Sequence, residues 1–339
     1  MGFNVAIAGA TGAVGAELID LLARRNFPVE NLTLLASKRS VGKKLNYNGK
    51  EIAVKELTEN SFQGIDIAFF SAGASRSKEF CPSAVKSGAV VIDNSSAFRM
   101  EREVPLIVPE VNPEATFSHK GIIANPNCST IQMVVVLKPL HDAARIKRVV
   151  VSTYQSVSGT GAQAIEELKS QIESYVKGSE MKISIYPYQI AFNVIPHIDV
   201  FMENGYTKEE MKMVEETCKI MDAPEIKVSA TCVRVPVFRA HSESIQIETE
   251  KKLTASEATR ILRQAPGIIV KDEREPGGYP VPLEVSGTFE TYVGRLREDI
   301  SVENGLAFWV VADQLYKGAA LNAIQIAELL ITDPRGLKK

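Results

Sequence analysis

Cysteine is scarce in this chain, with four residues, Cys81, Cys128, Cys218 and Cys232, among 339. Their spacing makes neither a disulfide framework nor a pair of zinc motifs, so no metal is expected and a reducing cytoplasm is the expected address. An excess of one charge is also missing. The formal net charge of −2 gives no basic field for nucleic acid and no polybasic patch for a membrane. No apolar run reaches the roughly 20 residues that span a bilayer. The opening MGFNVAIAGATG lacks the positive n-region of a signal peptide. There is no internal repeat, low-complexity segment or long Pro/Gly/Ser linker. Histidine, the side chain that most readily exchanges protons near neutrality, occurs only at 119, 141, 197 and 241.

What is present is an ordinary globular composition, 45% hydrophobic and 24% charged. The length accommodates two domains of roughly 150 residues each. Short apolar runs, FNVAIAGA (3–10), LTLLAS (32–37), IDIAFFSA (65–72), AVVIDNSS (89–96) and GIIANPN (121–127), read as strands. Helical patterns lie between them at 13–25 and 75–87. Strands rich in Val and Ile on both faces and separated by helices predict a parallel α/β sheet. Past Cys128 the texture changes to longer, more clearly alternating runs, RVVVSTYQSV (148–157), KVSATCVRVP (227–236) and SESIQIETE (242–250). These predict an antiparallel or mixed sheet with helices on one side. The closing apolar helix KGAALNAIQIAELLI (317–331) is expected to return to the first domain. The domains are therefore expected at 1–127 with 318–339, and at 128–317.

GATGAVG (9–15) follows the first strand and opens the first helix. Glycines there let the backbone turn tightly and approach a pyrophosphate seated at the helix N-terminus. The spacing is G-x-x-G-x-x-G rather than G-x-G-x-x-G, so the strand–loop–helix context carries the assignment. The second strand ends in Ser37-Lys38-Arg39-Ser40, where NAD-specific folds place an acid for the ribose 2′-hydroxyl. Bases and hydroxyls there suit a 2′-phosphate instead, so NADP is expected.

ANPNCST (124–130) puts Cys128 at the mouth of a helix, since IQMVVVLKPL (131–140) is apolar almost all round. Ser129 and Gln132 have capping-box spacing. The helix macrodipole and free N–H groups of a first turn stabilise a thiolate. The other three cysteines lie within helix or strand patterns and read as packing residues. A nucleotide site plus one activated thiol points to attack on an acyl donor followed by hydride transfer.

Together with ASKRS (36–40), DNSSAFR (93–99), NPNCST (125–130), TYQSVSGTG (153–161), the E-x-x-K at 216–219, CVRVPVFRAHSES (232–244) and KGAALNAIQIAE (317–328), the glycine loop makes eight fragments in order. Over essentially its full length the chain resembles the aspartate-β-semialdehyde dehydrogenases. Relatives of that family, N-acetyl-glutamyl-phosphate reductase and glyceraldehyde-3-phosphate dehydrogenase, carry different residues around the cysteine. The resemblance implies a Rossmann-like NADP-binding domain followed by an α+β catalytic and dimerisation domain with a mixed sheet. It implies NADPH-dependent reductive dephosphorylation of L-aspartyl-4-phosphate to L-aspartate-4-semialdehyde, reversibly, on the way to lysine, diaminopimelate, threonine and methionine. Cys128 is then the nucleophile, His241 the general acid/base, and Gln155 the residue that orients the acyl group. Arg234 binds the substrate α-carboxylate and Glu216 its amino group, while Arg99, Asn127 and Lys219 bind phosphate. Gly9, Thr11, Gly12, Ala13, Val14, Ser37, Arg39, Ser40, Ser71, Ser158, Gly159 and Asn322 line the NADP site. The implied assembly is a homodimer, with a homotetramer left open.

Two of these assignments run against a plain reading of the residues. Thr207 and Glu210 cap a helix whose Met211, Val214, Cys218 and Met221 share a face, which leaves Glu216 and Lys219 as a solvated i,i+3 pair opposite. Arg234 and His241 are seven apart and would point to opposite faces of one uninterrupted strand. Pro236 between them predicts a bend or loop at 236–240. Two other functions stay open: a reductase of a related acyl phosphate such as N-acetyl-glutamyl phosphate, or an NADP-binding redox sensor with Cys128 as a regulatory thiol. An acetylated amine carries no charge for Glu216, and a sensor has no need of Gln155, Arg234 and His241.

Overall fold

The computed structural model describes residues 2–337. It divides into two compact units, one running to Asn127 and resuming at Ala319, the other Cys128–Gly318.

In the first unit the sequence runs β1 (Phe3–Ala8), α1 (Ala13–Arg24), β2 (Val29–Ala36), the hairpin β3 (Lys44–Tyr47) and β4 (Lys50–Ala53), β5 (Lys55–Glu56), β6 (Ile67–Phe70), α2 (Ala74–Lys86), β7 (Val90–Asp93) and β8 (Ile122–Ala124). The main sheet has the order β5-β2-β1-β6-β7-β8 and is parallel throughout. That order reverses direction at β1, the switch point where doubly wound sheets open a crevice for a nucleotide. β6 and β7 are buried at every residue, because α/β crossovers cover both faces of a parallel sheet. The hairpin was not anticipated from sequence; its alternation is short and only half-buried, with Leu45, Tyr47 and Ile52 on its covered positions.

The second unit contains α3 (Cys128–Ala144), β9 (Ile146–Gln155), α4 (Ala162–Lys177), α5 (Lys208–Met221), β10 (Lys227–Arg234), β11 (His241–Thr249), α6 (Ala255–Gln264), β12 (Ile268–Val270), α7 (Pro282–Val285), β13 (Thr291–Glu298) and β14 (Gly305–Ala312). Its sheet is mixed, in the order β10-β9-β11-β14-β13-β12. β9 pairs parallel with β10 and antiparallel with β11. α3 is buried almost all round, as its composition predicts, and Pro139 sits within it. β12, β13 and β14 complete the sheet and were missed in the sequence, although GLAFWVVA at β14 is as apolar as any strand found.

α8 (Leu321–Thr332) follows a π-helical turn at Tyr316–Ala320 and clusters with the first unit. It is held there by Asn322 Nδ2, which donates to the Ile107 carbonyl at 2.9 Å and to Asn125 Oδ1 at 2.7 Å. Arg25 adds a two-pronged ion pair to Glu328, both bonds at 2.7 Å. Among the described residues no helix is long and apolar enough to cross a membrane.

Candidate functional site

The glycine loop is shaped by close backbone approach. Gly9 has φ 91°, and a Cβ there would lie 2.4 Å from the Ser71 carbonyl oxygen. A Cβ on Gly15 would come within 2.3 Å of the Gly9 carbonyl oxygen. Both positions therefore need glycine. Gly12 immediately precedes α1, with Ala13 and Val14 in its first turn, so free N–H groups and the positive helix end face outward, as a phosphate requires.

A cavity of about 660 Å³ opens over this loop. Gly9, Thr11, Gly12, Ser37, Arg39 and Ser71 line it. Lys38 and Arg76 also line it, and Arg76 was not singled out in the sequence. Ser40 lies just beneath, buried, with its hydroxyl 3.5 Å from Thr11 Oγ1. Asn322 does not line this cavity. The loop and its bases fit a dinucleotide with a phosphorylated ribose: the cradle tolerates no side chain at Gly9 or Gly15, and the end of β2 presents Lys38 and Arg39.

Elsewhere in the first unit, the Arg99 guanidinium is buried and held by backbone carbonyls, donating from Nε to Asn125 and from Nη2 to Asn94, both at 2.9 Å. Asn127, also buried, ends this unit immediately before Cys128. Asp93 at the end of β7 accepts from Ser77 and Ser95. Burial nonetheless pushes its pKa up.

In the second unit Cys128 opens α3 and is half-buried. A Cβ on Gly318 would lie 2.9 Å from the Cys128 Cβ, so a glycine hydrogen is what fits against the thiol's stem. The other three thiols differ in kind. Burial raises the pKa of Cys81, Cys232 and Cys218, with nearby Asp93, Glu209 and Glu225 respectively adding to it. They are packing residues, as their sequence context predicts. Ser129 lies within the first turn of α3 rather than at its cap, which corrects the capping-box expectation. Its hydroxyl accepts from Gln155 Nε2 at 2.8 Å. Gln132 points from α3 to the sheet, donating to the His241 carbonyl at 3.5 Å.

Gln155, Arg234 and His241 come together through sheet register. Arg234 ends β10 directly beside Gln155 at the end of β9, and His241 begins β11 on the other side of β9. The chain bends between Arg234 and His241, as Pro236 and the odd interval predict. Ala240 takes the left-handed φ of 69° there, and its N–H is held by Gln314 Oε1 at 2.7 Å. The Arg234 Nη1 donates to the Ser156 carbonyl at 2.6 Å. Ser156 also reaches His241, through its N–H to Nδ1 at 3.1 Å and its hydroxyl at 3.0 Å. Gly159 completes the pocket: a Cβ there would sit 3.1 Å from both Arg234 Nη1 and His241 Nε2. Ser158, beside it, accepts from Gln314 Nε2 in a very short bond. His241 is fully buried, and burial, reinforced by the Arg234 charge, holds its pKa well below the ordinary histidine range.

α5 begins with the expected Thr207–Glu210 capping box, but the solvated-pair reading of Glu216 and Lys219 is wrong. Glu216 is 1% exposed, and Lys219 is half-buried. The buried residues are Glu209, Glu210, Met213, Glu216, Thr217, Ile220 and Met221, so of the expected apolar face only Met221 is buried, whereas Met211, Val214 and Cys218 are half-buried. The reason is polar and tertiary. Glu209 Oε1 accepts from Gln155 at 3.2 Å and its Oε2 from Lys212 at 3.0 Å, while Glu210 also accepts the Cys232 N–H at 3.0 Å. A face that buries carboxylates cannot be found from apolar periodicity. Sequence reasoning therefore also missed Glu209, Ser156 and Gln314, whose only local signal is a polar residue beside a predicted strand or helix end.

Comparison with known proteins agrees with this division. Residues 4–119 match the profile of the semialdehyde dehydrogenase NAD binding domain, and residues 137–317 that of the semialdehyde dehydrogenase dimerisation domain. The chain is 61% identical to an aspartate-semialdehyde dehydrogenase of Aquifex aeolicus, covering 98% of this chain and 99% of that one. It is 50% identical to the Bacillus subtilis protein, covering 97% of each. The crystal structure of aspartate semialdehyde dehydrogenase II from Vibrio cholerae, complexed with ASA, superposes with a TM-score of 0.96 at 50% identity, covering 98% of this chain and 99% of that one. A Candida albicans aspartate semialdehyde dehydrogenase with NADP gives 0.78 at 27% identity, over the whole of both chains. With a cradle for a dinucleotide in one unit and a helix-borne thiol, an arginine and a buried histidine in the other, the chain belongs to the aspartate-semialdehyde dehydrogenase family.

Proposed function

We propose that this protein catalyses the reversible, NADPH-dependent reductive dephosphorylation of L-aspartyl-4-phosphate to L-aspartate-4-semialdehyde through a thioester on Cys128. The observation that carries the reading is the convergence of Arg234 and His241 on the space left by Gly159, in the unit that Cys128 opens. In the forward direction the Cys128 sulfur attacks the acyl carbon, the carbon–oxygen bond to phosphate breaks, and phosphate departs with the thiol proton. NADPH, when bound, supplies the hydride that reduces the thioester. The carbon–sulfur bond then breaks, releasing aldehyde and thiolate, and the thiolate takes a proton from solvent.

Arg234 supplies a bidentate fork for the α-carboxylate, and the buried Glu216 carboxylate suits a substrate ammonium. Arg99, Asn127 and Lys219 are the proposed phosphate ligands. Gln155, anchored by Ser129 and Glu209, orients the acyl group. Gly9, Thr11, Gly12, Ala13, Val14, Ser37, Arg39, Ser40 and Ser71 hold the cofactor, with Lys38 and Arg39 favouring NADP over NAD. Ser158, Gly159 and Asn322 complete the proposed cofactor set. The protein acts in the cytoplasm as a homodimer, or as a dimer of such dimers.

A steady-state assay of phosphate-dependent NADP reduction with aspartate semialdehyde tests this reading. Turnover in the wild type and its loss in Cys128→Ala, with NADP binding retained, is the expected result. Turnover only with N-acetyl-glutamate semialdehyde, or none with either aldehyde, overturns it.

A further inference from the structure

Between α4 and α5 the segment 182–195 forms neither helix nor strand, yet it is pinned along its length. The buried Glu167 carboxylate on α4 accepts the N–H of Ser184 at 3.1 Å and that of Ile185 at 2.6 Å. One turn along the helix, Gln171 Oε1 accepts the N–H groups of Ile190 at 3.1 Å and Ala191 at 2.9 Å. Ile195 then exchanges both backbone hydrogen bonds with Arg234, at 2.9 and 2.8 Å. The segment is a strap from α4 to the end of β10, where the arginine sits.

Tyr186 lies in this strap, half-buried. Its ring packs against the buried cluster of Val157, Ala164, Leu168 and Ile190. Its hydroxyl donates to Thr160 Oγ1 at 3.0 Å. Thr160 follows Gly159, and Arg234 Nη1 lies 3.1 Å from the point where a Gly159 side chain would begin. Burial raises the pKa of the phenol, and the Arg234 charge, close enough to act on it, offsets only part of that. The hydroxyl therefore keeps its proton at neutral pH and stays a donor. The Arg234 side chain donates from Nη1 to the Ser156 carbonyl at 2.6 Å and makes no other hydrogen bond among the described residues. Its Nε and Nη2 are left for a ligand, and the phenol is a neutral donor on the same side of the Gly159 turn.

We propose that Tyr186 is a second ligand of the substrate α-carboxylate, its hydroxyl donating to the group that Arg234 binds. The inference rests on Arg234 as the carboxylate fork and adds an uncharged donor from a different segment of the chain. Thr160 lets this happen without leaving a polar group unpaired. The hydroxyl pair can reverse, with Thr160 donating to the phenol oxygen while the phenol donates to the carboxylate. Because the ring is already packed, binding orders little that was free before. A contact at the α-carboxylate is remote from the reacting carbon and is the same in substrate and transition state, so its loss raises KM and leaves kcat in place.

Steady-state kinetics of the full-length protein, with aspartate semialdehyde, NADP and phosphate varied in turn, test the proposal. Tyr186→Phe keeps the ring and its packing and removes only the hydroxyl. It should raise the KM for aspartate semialdehyde roughly threefold to tenfold, the scale of one lost hydrogen bond, with kcat and the other two KM values within about twofold. Thr160→Val keeps the shape of its side chain and removes the bond between the two hydroxyls, but the phenol can still reach a carboxylate. Its aldehyde KM should stay within about twofold of wild type. An unchanged aldehyde KM in Tyr186→Phe overturns the proposal. A Thr160→Val variant that matches Tyr186→Phe also overturns it, because the hydroxyl bond is then only a tether for the strap. A rise shared by all three KM values does the same, since it reports a loosened fold. Wild-type protein that turns over no aspartate semialdehyde overturns the assigned activity, and this inference with it.

Discussion

Gln155 Nε2 donates to Ser129 Oγ at 2.8 Å, joining the end of a central strand to the first turn of the helix that begins with the thiol. The same nitrogen reaches Glu209 on a second helix at 3.2 Å. One amide therefore sets the position of α3 and α5 against the sheet. An amide anchored on two sides keeps one orientation, without rotamer freedom to lose.

Ser129→Ala removes one of those anchors while leaving the helix intact. The expected effect is a fall of roughly tenfold in kcat/KM for aspartate semialdehyde, the equivalent of one hydrogen bond of about 1.4 kcal/mol. The KM for NADP should stay within a factor of two to three, because the change lies in the second unit. Steady-state kinetics with each substrate varied in turn distinguishes the two effects.

Arg39 lines the cavity above the glycine loop beside Ser37 and Lys38. Arg39→Ala should weaken NADPH by roughly 10- to 100-fold, the scale of a charge-assisted hydrogen bond, and leave NADH almost unaffected. The ratio of kcat/KM values for the two cofactors reads this directly. An unchanged ratio would show that Arg39 does not meet the 2′-phosphate.

Gly15→Ala would put a Cβ within 2.3 Å of the Gly9 carbonyl oxygen. Backbone cannot swing aside as a flexible side chain would, so the loop must shift. A cost of about 1–3 kcal/mol is expected, as for overpacked sites, seen as a lower Tm and weaker NADP binding. Gly42→Ala is the control: its φ is also positive, at 82°, but nothing lies within 4 Å of the added Cβ. It should show strain without loss of cofactor affinity.

Glu243 lies fully buried on β11, and neither carboxyl oxygen makes a protein hydrogen bond among the described residues. Burial pushes its pKa well up, and the facing Gln132 amide offsets only part of that. In the unfolded chain the same group ionises near the ordinary value of about 4.3. Above that pH the unfolded state has released a proton that the folded state retains, so stability falls as pH rises toward the folded pKa. Glu243→Gln removes the titration. The variant should be more stable than the wild type at pH 8, with the difference shrinking as pH drops to about 4.5. Urea or thermal unfolding across that window checks the sign, and a variant less stable at pH 8 would refute it.

How far the residues alone lead can be judged from particular elements. The parallel sheet, α3, β9 to β11 and the bend before His241 are legible because each leaves a local trace: apolar periodicity, a proline, an odd interval. The hairpin at 44–53 leaves a shorter trace, an Asn48-Gly49 turn between Leu45-x-Tyr47 and Ile52, and so few of its residues are apolar that it does not stand out. Glu216 reads as solvated because amphipathic analysis assumes that polar faces meet water. In α5 the buried carboxylates of Glu209 and Glu210 are instead satisfied by Gln155, Lys212 and the Cys232 backbone, partners 3 to 54 positions away in the chain.

What the sequence determined by itself is the machinery with local grammar. A glycine loop between strand and helix, bases where an acid would select NAD, and a thiol at a helix start are each set by bonds within a few residues. Tertiary structure decided which polar groups share a site and in which direction their pKa values move. His241 is a common residue until the Ser156 amide meets Nδ1 and burial, reinforced by the Arg234 charge, lowers its pKa. Both effects act between strands, through register and dielectric, and neither is written in the order of residues around position 241.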